Sequence, residues 1–168
     1  YRLNNRIIRA PDRPLAQLGT LPSPYINKIL NPADIINHGE EIPVITSRGC
    51  IFKCVYCNCT AISKHTIRYH SPERVVAELE IIHNALKGKQ ARAIRIYDDC
   101  FTLSNNRTEQ ICNYIIKKNL NLNIAVSTRA DYVNEKILRL LYKSGVKKIS
   151  FGIESVNPKS LFRVKKIR

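Results

Sequence analysis

The chain has 168 residues, of which 44% are hydrophobic, and this is enough to build one ordinary domain around an apolar core. No run approaches the roughly 20 apolar residues that a membrane-spanning helix needs, and no apolar leader follows Tyr1. We therefore expect a cytoplasmic protein that does not interact with membranes. Because the sequence contains no methionine, we also expect it to be a piece of a longer protein.

The chain is strongly basic, with 28 lysine and arginine residues against 13 acidic residues and a net charge of +15. Such a balance is typical of proteins that neutralise nucleic-acid phosphates. The basic residues are scattered, however, with short pairs such as Lys117-Lys118 and Lys147-Lys148. This dispersion favours solvated faces, or contacts to an acidic part of a longer protein, over a binding stripe. An anionic substrate is our second explanation of the charge, and RNA is a partner that the sequence does not favour.

Residues 1–40 differ from the rest of the chain, because five prolines interrupt them and no amphipathic period persists. We interpret this segment as a proline-rich linker or packing arm. Residues 41–168 are regular and constitute the folded domain.

Short apolar runs alternate with amphipathic segments from residue 41 onward. The apolar runs predict four strands, at 42–46, 93–97, 122–126 and 148–153. A helix is predicted after each strand: the first from an N-cap at Ser71 to Gly88, the second containing Ile111 and Ile115, the third from Asn134 to Gly145, and the fourth opening at Asn157-Pro158. Strands joined through helices by short loops form parallel sheets with right-handed crossovers. The sequence therefore predicts an α/β fold with a parallel sheet covered by helices.

Polar residues follow each predicted strand. The four loops begin with a cysteine triplet, Asp98-Asp99, Ser127-Thr128-Arg129 and Glu154-Ser155. Because barrels and doubly wound sheets both bind ligands at the carboxyl ends of their strands, we expect these groups to share one rim. Carboxylates suit an ammonium group or ribose hydroxyls, and a guanidinium suits a carboxylate. Ordinary surface charges at helix ends are the simpler alternative for any one of these residues.

The triplet Cys50, Cys54 and Cys57 has the spacing C-x3-C-x2-C, with Tyr56 before its last member. Electron-transfer clusters commonly use four cysteines, so three thiolates suggest an iron kept open for a small molecule. A zinc site is the alternative, with Cys59 and His65 or His70 completing the ligand set. A disulfide framework is disfavoured, because such scaffolds are usually short, secreted and cysteine-dense.

The motifs around these loops resemble those of radical S-adenosylmethionine (radical SAM) enzymes, particularly the branch that carries a cobalamin-binding domain ahead of the barrel. The resemblance covers residues 41–168 and rests on four segments: Ser47-Arg48-Gly49-Cys50, Tyr97-Asp98-Asp99-Cys100-Phe101, Ser127-Thr128-Arg129-Ala130-Asp131 and Gly152-Ile153-Glu154-Ser155. It implies a parallel (βα) partial TIM-type barrel, truncated after the fourth βα unit. Residues 41–168 would then be the N-terminal two thirds of the barrel domain.

The same resemblance implies a role for each site residue. Cys50, Cys54 and Cys57 would bind a 4Fe-4S cluster, and Tyr56 would lie beside the adenine of SAM. Asp98 and Asp99 occupy the loop that meets the SAM amino group. Ser127 and Arg129 match positions near the ribose and carboxylate, and Glu154 matches a polar SAM contact. Cys100 stands where the family often has threonine and is not expected to bind iron, while Cys112 and the histidines are assigned no chemistry.

The implied reaction begins when a one-electron donor, such as flavodoxin or ferredoxin, reduces the cluster. SAM is then cleaved to methionine and a 5'-deoxyadenosyl radical, which takes a hydrogen atom from a small-molecule substrate. Methyl transfer and ring formation are both outcomes of the cobalamin-linked branch, and cobalamin itself is expected in the full-length parent. An RNA-modifying radical SAM enzyme and a noncatalytic zinc or iron-sulfur module are the alternatives.

Overall fold

The computed structural model describes residues 2–37, 41–86 and 94–165. The strands are β1 Arg2–Leu3, β2 Arg6–Ile7, β3 Ile42–Val44, β4 Ser47–Arg48, β5 Arg68–Tyr69, β6 Ile94–Ile96, β7 Ile124–Thr128 and β8 Val146–Phe151. The helices are α1 Pro32–Asn37, α2 Cys59–Ser63, α3 Pro72–Ala85, α4 Asn105–Lys117, α5 Glu135–Lys143 and α6 Pro158–Lys165. Two 3₁₀ turns, Leu18–Thr20 and Ala130–Tyr132, complete the described elements.

A four-stranded sheet in the order β3-β6-β7-β8 forms the centre of the domain, and all three pairs of neighbouring strands are parallel. Helix α3 packs against α4, and α4 packs against α5, so the helices that follow β3, β6 and β7 form one layer. Apolar side chains fill the space between sheet and helices, and they include Ile42, Leu79, Ile94, Ile111, Ile124 and Leu141. The predicted α/β partial barrel is confirmed by this arrangement.

The helix starts follow from local capping. The side-chain oxygens of Ser71, Ser104 and Asn134 each accept a hydrogen bond from the backbone N–H three residues later, and this satisfies a donor that the helix leaves unpaired. The N-caps predicted at Ser71 and Asn134 are thus confirmed. The predicted helix end at Gly88 lies outside the described residues.

Several strand boundaries differ from the prediction. The first strand ends at Val44 rather than at Thr46, because the backbone N–H of Thr46 donates to the Asp98 carboxylate at 2.7 Å instead of to a sheet partner. The third and fourth strands run through 124–128 and 146–151, and their register shifts between Ile124 and Ala125. Ala93, the predicted start of the second strand, lies outside the described residues.

The proline-rich arm contains more structure than its sequence indicated. Helix α1 begins at Pro32, where the Asn31 side chain accepts a hydrogen bond from the Ala33 N–H at 3.1 Å. Six residues are too few to show an amphipathic period, which is why the sequence pattern missed this helix. Tyr25 is buried, and its hydroxyl donates to the Pro43 carbonyl at 2.5 Å. The arm therefore packs on β3. Within the described ranges, none of the helices has the length and apolar character required to traverse a bilayer.

Candidate cofactor site

A cavity of about 400 Å³ opens at the carboxyl ends of the parallel strands. The cysteine loop after β4, Asp99 after β6, and the ends of β7 and β8 with the residues that follow them contribute to its wall, as expected for an α/β sheet. The lining residues are Cys50, Phe52, Cys54, Tyr56, Cys57, Cys59, Asp99, Ser127, Thr128, Arg129, Ser150, Phe151, Gly152 and Glu154.

The cysteine loop forms one side of this cavity and connects β4 to α2. Cys50, Cys54 and Cys57 are half-buried free thiols, and the Cys57 N–H donates to the Cys54 carbonyl at 3.2 Å in a tight turn. Burial raises the pKa of the Cys50 thiol, and the nearby Cys100, Asp99 and Cys54 add to the effect. Among the described residues, no three His, Cys, Asp or Glu side chains converge on a point where they could hold one metal ion. The three cysteines all line the cavity wall.

Asp98 does not line the cavity, since its carboxylate binds Thr46 and Ser47, where the chain passes from β3 into β4. It accepts hydrogen bonds from the N–H groups of Thr46 and Ser47 at 2.7 and 2.9 Å, and from both of their hydroxyl groups. Asp98 is only 4% exposed; burial raises the pKa of its carboxyl group, and these hydrogen bonds oppose that shift. Asp98 therefore fixes the segment from which the cysteine loop departs.

Arg107 holds the same segment from the other side. Its Nη2 donates to the Thr46 carbonyl at 2.7 Å, and its Nε donates to the His70 carbonyl at 3.2 Å. The guanidinium also lies 4.9 Å from the Tyr69 ring centroid. Burial lowers the pKa of Arg107, while the Asp98 charge opposes the change. Asp98 and Arg107 thus bracket Thr46 and join β3, β5, β6 and α4.

The buried His70 makes stability depend on pH. Burial and the positive charges of Arg74, Arg107 and Arg48 lower the pKa of His70 to about 4 from 6.5. Between these two pH values, His70 binds a proton in the unfolded chain but not in the folded chain. The folded state is therefore favoured less as the pH falls from 7. We expect the free energy of unfolding to decrease between pH 6.5 and 4, at a slope approaching about 1.4 kcal/mol per pH unit.

Urea titrations at pH 7 and pH 5 measure this dependence. The variant His70→Gln should lose less stability than the wild-type chain when the pH falls. His65→Gln, which changes an exposed histidine, is the matched control and should behave like wild type. Equal pH dependence in His70→Gln and wild type would contradict the conclusion that His70 causes the loss of stability at low pH.

Asp99 faces the cavity, unlike its neighbour. Its carboxylate accepts a hydrogen bond from the Gly49 N–H at 3.1 Å, so it fixes the residue before the first cysteine. Burial and a hydrogen bond to Asp99 raise the pKa of the Cys59 thiol to about 12. Asp99 therefore supports the cysteine loop and also presents a carboxylate to the cavity.

Tyr56 and Glu154 both line the cavity. Burial raises the pKa of Tyr56, with additional contributions from Cys54 and Glu154. Glu154 has a φ of +66°, a left-handed conformation that is uncommon for residues other than glycine. A backbone strained in this way persists only where the surrounding structure stabilises it. Glu154 lies in the segment that follows the end of β8.

The end of β7 supplies Ser127 and Thr128, and Arg129 is the first residue after the strand. The Ser127 carbonyl accepts a hydrogen bond from the Phe101 N–H at 3.0 Å, and the Thr128 hydroxyl lies 3.3 Å from the buried Cys100 sulfur. Arg129 is bidentate to Asp131 and also donates through Nη1 to the Cys54 sulfur at 3.7 Å. The Cys100 thiol lies behind the wall and does not line the cavity.

A comparison with protein families assigns this architecture. The sequence model of the radical SAM superfamily matches residues 44–168, from the last residue of β3 to the final residue of the chain. The chain belongs to the radical SAM superfamily. The resemblance predicted from the cysteine triplet and the three later loop motifs is thereby confirmed.

Relatives of this radical SAM chain include an uncharacterised methyltransferase of Pyrococcus horikoshii. It is 34% identical over 165 residues, which cover 96% of this chain and 35% of the relative. The chain thus spans about a third of the length of that curated relative.

Two solved structures share the fold. One is the cobalamin-dependent S-adenosylmethionine radical enzyme OxsB, with a TM-score of 0.66 and 24% identity, covering 81% of this chain and 21% of OxsB. The other is the radical S-adenosylmethionine methyltransferase TsrM of Kitasatospora setae, with a TM-score of 0.70 and 19% identity, covering 79% of this chain and 26% of TsrM. At these identities the likeness shows a shared fold, consistent with the superfamily.

The radical SAM fold brings eight of the nine residues predicted for the site to one cavity: Cys50, Cys54, Tyr56, Cys57, Asp99, Ser127, Arg129 and Glu154. Asp98 is not among the lining residues. The sequence analysis missed Phe52, Ser150, Phe151 and Gly152, which also line the wall. Phe52 lies inside the cysteine motif, and Ser150, Phe151 and Gly152 lie shortly before the predicted site residue Glu154. Their nearness in sequence to predicted site residues is the signal that could have identified them.

Proposed function

We propose that this chain is the part of a radical SAM enzyme that binds a 4Fe-4S cluster and cleaves S-adenosylmethionine reductively. The observation that carries the proposal is the shared cavity of the three cysteines with Tyr56 and the carboxylates of Asp99 and Glu154. A site for a metal cluster and a site for a polar organic cofactor thus coincide.

The thiols of Cys50, Cys54 and Cys57 fit the cluster. Each cysteine of a 4Fe-4S site binds a different iron, so the ligands must surround a volume rather than meet at one point. All three cysteines line the wall of one cavity, which agrees with that requirement. Half-burial leaves the thiols accessible for assembly while limiting contact with water.

The other wall residues offer complementary groups to SAM. Asp99 and Glu154 can accept hydrogen bonds from an ammonium group or ribose hydroxyls, and the Tyr56 ring offers an apolar face to adenine. The Ser127 side chain adds a hydroxyl. A cluster held by Cys50, Cys54 and Cys57 would supply the one electron for reductive cleavage of SAM to methionine and a 5'-deoxyadenosyl radical. Asp99, Glu154, Tyr56 and Ser127 would hold SAM against it.

Methyl transfer to a small-molecule substrate is the overall reaction that we propose for the whole protein. The Pyrococcus relative is named a methyltransferase, and the structural neighbour TsrM is a methyltransferase with cobalamin and a [4Fe-4S] cluster bound. We propose cobalamin as a cofactor of the longer protein, flavodoxin or ferredoxin as electron donor, and the cytoplasm as its location. The cofactor cobalamin, the electron donor and the location are thus proposals for the whole protein.

Electron paramagnetic resonance on the reconstituted chain tests the proposal. We expect anaerobic treatment with iron and sulfide to give a four-iron signal after reduction, and we expect added SAM to shift it. Adenosine, which lacks the amino and carboxylate groups, is the matched control and should leave the signal unchanged. A spectrum indifferent to SAM, or a colourless protein with stoichiometric zinc, would contradict the proposed function.

A further inference from the structure

Arg129 has hydrogen bonds on every edge of its guanidinium group. Nε and Nη2 donate to the two Asp131 carboxylate oxygens at 2.9 and 2.6 Å. The remaining Nη1 donates to the Cys54 sulfur at 3.7 Å, within the range of hydrogen bonds to sulfur. The Arg129 side chain is 10% exposed, so water screens these interactions only weakly.

Aromatic rings fix the plane of the same guanidinium. Its central carbon lies 3.8 Å from the Phe52 ring centroid, and Phe52 makes an edge-to-face contact with Tyr132 at 5.1 Å. Stacking on an aromatic face and bidentate pairing with a carboxylate are both specific to arginine and leave little rotational freedom. The direction of Nη1 toward Cys54 is therefore determined by Phe52 and Asp131.

A fixed positive charge beside a cluster ligand changes the cluster's redox equilibrium. Reduction adds negative charge that is shared with the sulfur ligands, and hydrogen bonds to those sulfurs are a recognised control of potential. A cation donating to Cys54 stabilises the reduced form more than the oxidised form. Asp131 opposes this effect in part, because its negative charge lies on the other edge of the guanidinium.

We propose that Arg129 is a positioning residue that orients Cys54 and raises the reduction potential of the cluster, and that it is not the partner of the SAM carboxylate. Its bidentate edge is already bound to Asp131, which leaves the single Nη1 donor directed at sulfur. This inference rests on the proposed function, because it requires a cluster on Cys54.

Redox titration of the reconstituted chain without SAM, followed by electron paramagnetic resonance, tests the inference. Arg129→Gln removes the charged donor that favours the reduced cluster, so it should lower the ratio of reduced to oxidised cluster about tenfold at a fixed potential. For one electron this is a shift of about 59 mV to more negative potential. Asp131→Asn should shift the potential in the opposite direction, because it removes the opposing anion.

Arg139→Gln is the matched control. It removes the same charge from an exposed pair with Glu135 on α5 and should leave the potential unchanged. A merely structural role for Arg129 predicts the same sign for Arg129→Gln and Asp131→Asn, since both break one ion pair. Opposite signs are therefore specific to an electrostatic role.

The outcomes separate this inference from the proposed function. A wild-type chain that binds no cluster would overturn both. A wild-type cluster whose potential is unchanged in Arg129→Gln, with only SAM affinity reduced, would overturn the inference alone. If Arg129→Gln loads iron poorly, the sign of the shift in Asp131→Asn still decides the question.

Discussion

Cys54→Ala is expected to abolish assembly of the four-iron cluster, whereas Cys59→Ala should retain it. Both cysteines line the same cavity and are half-buried, so the two variants differ little in packing. Cys54 belongs to the triplet and receives the Arg129 hydrogen bond, and its loss leaves only two thiolates for the cluster. We expect iron and sulfide content to fall to background in Cys54→Ala.

The comparison with Cys59→Ala distinguishes a cluster from zinc. A structural zinc site needs four ligands, so a site that used Cys59 as the fourth would lose metal in both variants. Metal analysis of iron and zinc in the wild type and both variants, with circular dichroism as a check on folding, measures the outcome. Equal loss of zinc in the two variants, with no iron in the wild type, would support the zinc alternative.

The parallel sheet could be predicted from sequence because its signals are local. Apolar runs, N-caps at Ser71 and Asn134, and a glycine after α5 each operate over a few residues. The antiparallel pair of β4 and β5 and the five-residue helix α2 gave no such signal, because they are too short for a period to develop. Their positions depend on contacts that are distant in sequence, such as Arg107 with His70.

The different positions of Asp98 and Asp99, one buried against Thr46 and Ser47 and the other facing the cavity, could not be predicted. Both acids follow the same strand, and consecutive side chains of an extended chain point in opposite directions. Which acid faces the cavity depends on the register of β6, and the structure directs Asp98 to Thr46 and Ser47 instead. Likewise, the sequence gives Arg129 a charge but not its partners. Asp131 lies two residues away, while Phe52 and Cys54 come from a loop more than 70 residues earlier.

Gly49 is the position where a single methyl group should do the greatest damage to the cysteine loop. Its φ is +100°, and a Cβ added there would lie 2.1 Å from the Thr66 carbonyl oxygen and 2.9 Å from the Ser63 Cβ. Thr66 cannot easily withdraw, because its N–H donates to the Ser63 carbonyl at 3.0 Å. A left-handed residue with a Cβ costs about 1–2 kcal/mol before this overlap is counted. The loop must therefore move.

Moving Gly49 breaks its hydrogen bond to Asp99 and displaces the adjoining Cys50. We therefore expect Gly49→Ala to lower the free energy of unfolding and to prevent cluster assembly. Gly19→Ala is the matched control, because no atom lies within 4 Å of its added Cβ. Urea unfolding and iron content measure both effects. Wild-type iron content in Gly49→Ala would mean that the loop tolerates the displacement, and that the turn at Gly49 does not govern the position of the first cysteine.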